Sequence, residues 1–173
     1  KILFTNKSFV LLLCASSLRY FGGYSLGFWA PSFFQNVYPE YNEEYSVFNA
    51  FVIIFGGVTS SYVGGHIGDT YEQMYPAIKG IVSACGALLS IPFILITFTV
   101  QPNFYIGMTS YLFAYLTAEV WFGPTHALAN QLFPSEYQGI AVAFLNLVGS
   151  LTGALATFLC GLIGDVVDID TNP

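Results

Sequence analysis

Five apolar runs, each long enough to cross a bilayer, leave this chain few ways to fold. They cover about 8–34, 45–66, 77–100, 104–126 and 138–164, and a membrane-spanning helix needs roughly 20 predominantly apolar residues. In hydrocarbon every backbone N–H and C=O must find its partner inside the chain, so runs of this length specify helices. The expected fold class is all-α: a polytopic membrane helix bundle of five transmembrane helices, forming a single transmembrane bundle over 1–173. Composition agrees, since charged residues make up only 8% against roughly 25% in soluble domains. The first run is no cleaved signal peptide, because it far exceeds the roughly 7–15 apolar residues of a signal core and it carries Arg19.

The separators have interfacial chemistry. Residues 35–44 are polar and Tyr-rich, 66–76 contain Gly-Asp and Pro, 101–103 form a tight turn and 133–136 break the last two runs. Connections this short imply antiparallel neighbours. The acids fall mainly at Glu40 to Glu44 and Asp165 to Asp170, which read as solvated ends. Lys1 and Lys7 precede the first run and Lys79 lies beside the second connection, so the positive-inside rule puts the N-terminal end and the second and fourth connections in the cytoplasm. On that orientation the sequon Asn6-Lys7-Ser8 is cytoplasmic and unglycosylated.

Two charges break the apolar runs, Arg19 in the first and Glu119 in the fourth. An ionisable group at membrane depth is costly and marks a functional path. At 1.5 Å per residue Arg19 lies ~15 Å and Glu119 ~11 Å from the cytoplasmic ends of their helices, so the two can share a depth. Tyr111, Tyr115 and Glu119 recur at i, i+4 and place two phenols and the acid on one stripe. Arg19, Gly23 and Gly27 give the first helix a charged, otherwise bare face. A polar stripe opposite a bare one suggests a cavity for a solute or a proton path. A structural salt bridge that fixes helix register is the alternative, and a buried pair of either kind needs good geometry.

The remaining features read as scaffold. The third run has no charge beyond Lys79 and suits full lipid contact. Gly56-Gly57, Gly64-Gly65 and the Gly149/Gly153 pair lie where helix backbones approach closely. Asn49 and Asn146 are polar groups within spans, suited to helix–helix hydrogen bonds or to solute contact. Cys14, Cys85 and Cys160 lack disulfide or zinc spacing and read as small packing residues. His66 falls at an interface, and His126 lies in line with Glu119. There is no phosphate loop, no nucleophile elbow, no metal-ligand spacing and no cofactor motif, so an enzyme is not expected. Four basic residues make no nucleic-acid footprint.

The segment Gly64-Gly65-His66-Ile67-Gly68-Asp69, directly after a span, resembles the G-x-x-x-D signature between the second and third helices of each half of major facilitator superfamily transporters. Gly65 and Asp69 match its core. The resemblance implies a conformational latch in which the acid caps a neighbouring helix end and pairs with basic residues. The family's Arg or Lys soon after the Asp is replaced here by Thr70-Tyr71-Glu72-Gln73, which implies a latch capped differently. Other stretches are similar to spinster-like members: Arg19-Tyr20-Phe21-Gly22-Gly23-Tyr24 with Trp29-Ala30-Pro31 to their seventh helix, and Glu119-Val120-Trp121-Phe122-Gly123-Pro124 to the tenth. Phe133-Pro134-Ser135-Glu136-Tyr137-Gln138-Gly139 and Gly161-Leu162-Ile163-Gly164-Asp165 resemble the opening and end of the eleventh.

The resemblance spans almost the whole chain and implies helices seven to eleven of a C-terminal transporter half, with seven and ten lining a central cavity. It implies secondary transport of a small organic or amphiphilic solute by alternating access, with Arg19, Glu119, Tyr115, Tyr111, Asn49 and Asn146 along the substrate or proton pathway. Five helices cannot alternate alone, because such transporters rock two six-helix halves about a central site. The chain is therefore expected to be part of a twelve-helix polypeptide, with the bilayer, a small-molecule solute and an N-terminal half as partners. A non-transporting structural subunit bound to other membrane proteins is the alternative.

Overall fold

The computed structural model describes the backbone of residues 2–99 and 103–171 and the side chains of 3–99 and 103–164. Within the described residues the chain is helical, with no strand. A short α1 (Ile2–Thr5) precedes α2 (Lys7–Val37). A single 3₁₀ turn at Pro39–Tyr41 leads into α3 (Asn42–Phe51), which passes through a π-helical segment at Val52–Gly56 into α4 (Gly57–Tyr71). Then come α5 (Ile78–Thr99), α6 (Phe104–Ala118), a 3₁₀ turn at Glu119–Trp121, α7 (Phe122–Gln131) and α8 (Ser135–Thr171).

Four stretches, Lys7–Val37, Pro39–Tyr71, Ile78–Thr99 and Ser135–Gly164, are helices long and apolar enough to cross a membrane. The chain is an all-α, polytopic integral membrane protein. The run expected as one helix over 104–126 departs from this pattern, because α6 stops at Ala118 and a 3₁₀ turn separates it from α7. The expected polar connection over 35–44 shrinks to Tyr38, since helix resumes at Pro39, whose fixed φ suits a first helical position. Side chains after Gly164 and residues 100–102 lie outside the description, and with them the expectations for Asp165 to Asp170 and for most of the 101–103 turn.

The residues form two compact units. Unit 1 comprises 1–33 and 129–173. Its core is Phe9 and Leu13 of α2, Ala129 of α7, Phe133, and Ala141 and Leu145 of α8. Phe9 and Phe133 meet edge to face with centroids 5.0 Å apart. Asn6 starts α2 as an N-cap: its Oδ1 accepts from the Ser8 and Phe9 N–H groups at 3.0 and 3.3 Å, while its Nδ2 donates to the Leu132 carbonyl at 3.3 Å. The sequon asparagine is thus engaged in the fold. Higher up, Tyr20 and Tyr24 lay their rings over Gly149 and Gly153, and the Tyr20 hydroxyl donates to Asn146 Oδ1 at 3.2 Å. Gly149 and Gly153 hold aromatic rings where a close backbone approach was expected.

Unit 2 comprises 34–128. Buried residues fall every four positions along its first long helix, at Val52, Gly56, Ser60, Gly64 and Gly68, the row that packs as a ridge into a neighbouring helix. Here the glycines do meet backbone. A Cβ on Gly64 would collide with the Val120 carbonyl, one on Gly86 of α5 would lie 2.6 Å from the Thr117 carbonyl, and one on Gly123 would lie 2.6 Å from that of Ser61. At the other end, Phe34, Tyr38, Tyr45, Phe104 and Tyr111 form an aromatic cluster, with Phe34–Tyr45 centroids 5.1 Å apart and Tyr38–Phe104 5.7 Å apart. Asn103 caps α6 by accepting from the Tyr105 N–H at 2.9 Å. Of the three cysteines only Cys160 is buried; Cys14 and Cys85 are exposed, so they are not the packing residues expected.

Candidate functional site

The helical run that starts at Phe104 breaks at Glu119. Glu119 has φ −84° and ψ 1°, between the helical and extended wells, yet its N–H still reaches the Tyr115 carbonyl, and the Phe122 N–H reaches the Glu119 carbonyl. Irregular backbone at membrane depth is tolerated only where protein buries it or a cavity receives it. Here Gly64, Gly86 and Gly123 supply the space for Thr117 and Val120 and for the first turn of α7. The turn is held on the glycine side and carries a half-buried carboxylate.

Tyr111 and Tyr115 precede that carboxylate by two turns and one, their rings edge to face with centroids 5.3 Å apart. Their places differ. Tyr111 is 2% exposed and belongs to the aromatic cluster, 6.1 Å from Phe34, whereas Tyr115 is half-buried like Glu119. A second irregularity, the π-helical Val52–Gly56 segment, lies against this stripe: a Cβ on Gly56 would meet the Tyr115 Cβ at 3.1 Å. Such segments recur at functional sites. Asn49, half-buried, precedes it on α3. His126 closes a local contact, its Nδ1 donating to the Phe122 carbonyl at 2.9 Å, because a carbonyl can only accept.

In unit 1, Arg19 is half-buried on α2. One and two turns on, Gly23 and Gly27 have no heavy atom within 4 Å of where a Cβ would stand. They line an open groove of about 380 Å³ with Tyr24, Phe28 and Thr157. Pro31 has no N–H to return to the Gly27 carbonyl, so that acceptor loses its usual helical donor where it borders the groove. Asn146 is taken up by Tyr20, the helix–helix hydrogen bond that a polar residue in a span suits. Arg19 and Asn146 therefore belong to unit 1, and Glu119, Tyr111, Tyr115, Asn49, Gly65 and Asp69 to unit 2.

At the α4–α5 connection, Gly65 packs backbone to backbone with Gly123, their close approach marked by 3.1 Å from a Gly123 Cβ to the Gly65 Cα. Asp69, one turn on, is exposed and pairs with Lys79 at 3.2 Å, while Glu72 takes the same amine at 2.9 Å. Lys79 is 1% exposed, its stem lying 3.1 Å from where a Gly68 Cβ would be. The basic partner that the sequence lacks directly after Asp69 thus comes from the start of α5, across the loop. In the sequence Lys79 marks orientation and the start of the third run, and nothing there pairs it with Asp69. Glycine at 68, which makes room for the lysine stem, was the available signal.

No family model, no curated protein and no solved structure matches the chain.

Proposed function

We propose that this chain is the C-terminal part of a secondary transporter of the major facilitator type, spinster-like, moving a small organic or amphiphilic solute by alternating access. The observation that carries the proposal is the helix broken at Glu119. Transporters bind solutes and coupling ions at discontinuous membrane helices, where irregular backbone and an ionisable side chain face a cavity. A half-buried carboxylate at the interruption of an apolar helical run has that chemistry. The bare Gly23/Gly27 groove one turn beyond Arg19 supports a solute path in unit 1, and the Lys79–Asp69–Glu72 cluster supports a latch at the α4–α5 connection. In this mechanism Glu119 carries the proton and Arg19 binds an anionic group of the solute, with the N-terminal end cytoplasmic.

The test is proton-coupled uptake by the full-length protein in vesicles loaded with a pH-sensitive dye and challenged with a panel of organic anions, amines and single-chain amphiphiles. At least one solute acidifies the lumen with the wild type, and Glu119→Gln abolishes the acidification while Arg19→Ala raises the solute concentration needed. Uptake at the wild-type rate in both variants removes them from the mechanism. No flux with any solute, together with stable co-purification of other membrane proteins, favours a structural subunit instead.

A further inference from the structure

Unit 2 carries a second groove, whose lining includes none of Tyr111, Tyr115 and Glu119. It has a volume of about 350 Å³ and lies between α5 and α6, with Phe93 and Ile96 on one wall and Tyr105, Thr109, Ser110 and Phe113 on the other. From Tyr105 to Phe113 it runs eight helical residues, ~12 Å at 1.5 Å per residue, close to the ~15 Å depth of one leaflet of a ~30 Å hydrocarbon core. Phe93 and Phe113 stack at its deep end with centroids 5.5 Å apart. Its length and largely apolar walls fit an extended hydrocarbon chain.

The shallow end is chemically distinct. Tyr105, 49% exposed, abuts Tyr41 at 5.9 Å and Phe48 at 6.1 Å, so the groove opens onto an aromatic rim. Tyr41 and Phe48 flank Glu44 at helical spacing, and Glu40 and Glu43 are exposed beside them. The only lysine or arginine of unit 2 is Lys79, buried at the start of α5 and 17 residues, ~25 Å, from Ile96. An anionic headgroup finds repulsion at this rim. An ammonium headgroup finds carboxylates and the faces of electron-rich rings, the chemistry that recognises quaternary amines.

We infer that the α5–α6 groove is a site for a bilayer phospholipid with an ammonium headgroup, its acyl chain lying between Phe93 and Phe113 and its headgroup on Tyr41 and Tyr105 among Glu40, Glu43 and Glu44. The groove is a specific lipid seat on unit 2, and neither Glu119 nor Tyr115 lines it.

Photocrosslinking tests this. The full-length protein is reconstituted into vesicles containing phosphatidylcholine or phosphatidylglycerol with the same diazirine-bearing acyl chain, and labelled peptides are mapped by mass spectrometry. Phosphatidylcholine labels the α5 and α6 residues lining the groove about fivefold more than phosphatidylglycerol, the scale of a difference of ~1 kcal/mol at a charged surface. The variant Glu40→Gln/Glu43→Gln/Glu44→Gln, which changes only exposed side chains, loses that preference. Thr109→Trp fills the groove and suppresses labelling there with both lipids, while Leu88→Trp, on an exposed part of α5 outside it, leaves labelling unchanged. Equal labelling by the two lipids, a preference that survives loss of the three acids, or equal effects of the two tryptophans would each overturn the assignment and leave a non-selective lipid film.

Discussion

In unit 1 Gly149 and Gly153 of α8 hold side chains; in unit 2 Gly64 of α4, Gly86 of α5 and Gly123 of α7 hold backbone. Gly149 and Gly153 receive the rings of Tyr20 and Tyr24, which can rotate. Gly64, Gly86 and Gly123 sit against the carbonyls of Val120, Thr117 and Ser61, which cannot move without moving a helix. A small-residue spacing in sequence therefore does not say what fills the space. The contrast locates stiffness: unit 2 is rigid around the Glu119 turn, whereas unit 1 has adjustable packing on one face of α2 and an empty stripe at Gly23 and Gly27 on another.

Four substitutions break or sharpen that contrast. The largest effect is expected for Gly64→Ala, which sets a methyl on the Val120 carbonyl; overpacking against backbone should cost about 3 kcal/mol, read as a sharp drop in thermal melting temperature in detergent. Gly149→Ala should cost less, about 1–2 kcal/mol, because the Tyr20 ring can turn aside and give up one hydrogen bond to Asn146. Equal losses in the two variants would erase the distinction between the units. Lys79→Met keeps the apolar stem beside Gly68 and removes only the charge. Since Asp69 is 68% exposed, water screens the pair, so a loss of about 1 kcal/mol that shrinks in high salt is expected. The smallest effect belongs to Gly23→Ala, where nothing meets the new Cβ: melting should be unchanged or raised, since alanine favours helix by up to about 1 kcal/mol, while transport falls if the groove carries solute.

Much of the fold is legible in the sequence, because length and apolarity alone specify membrane helices. The run expected over 8–34 is Lys7–Val37, that over 77–100 matches Ile78–Thr99, and that over 138–164 begins at Ser135. The missing parts have physical reasons. The π-helical segment at Val52–Gly56 interrupts an evenly apolar stretch with no residue-type signal before it. The break at Glu119 had a signal in Gly123 and Pro124, but helical spacing carries a stripe across a single displaced turn without showing it. The connection over 35–44 reads as polar and Tyr-rich, and its Tyr38 joins the Phe34–Phe104–Tyr111 aromatic cluster, which only long-range packing assembles. Arg19 and Glu119 stood out by cost alone. Lys79 joined Asp69 only once the α4–α5 loop brought them together.

Whether Gly27 borders a solute pathway or lipid is the most direct question to put to the transport proposal. In the full-length protein, with Cys14, Cys85 and Cys160 replaced, single cysteines at Gly27 and at the exposed Leu88 of α5 are labelled in sealed vesicles by membrane-impermeant and by lipid-soluble thiol reagents. A water-accessible pathway gives labelling of Gly27→Cys by the impermeant reagent, protection when a transported solute is added, and none of this at Leu88→Cys. If Gly27→Cys reacts only with the lipid-soluble reagent, as Leu88→Cys should, the stripe faces the bilayer and the Gly23/Gly27 groove carries no solute.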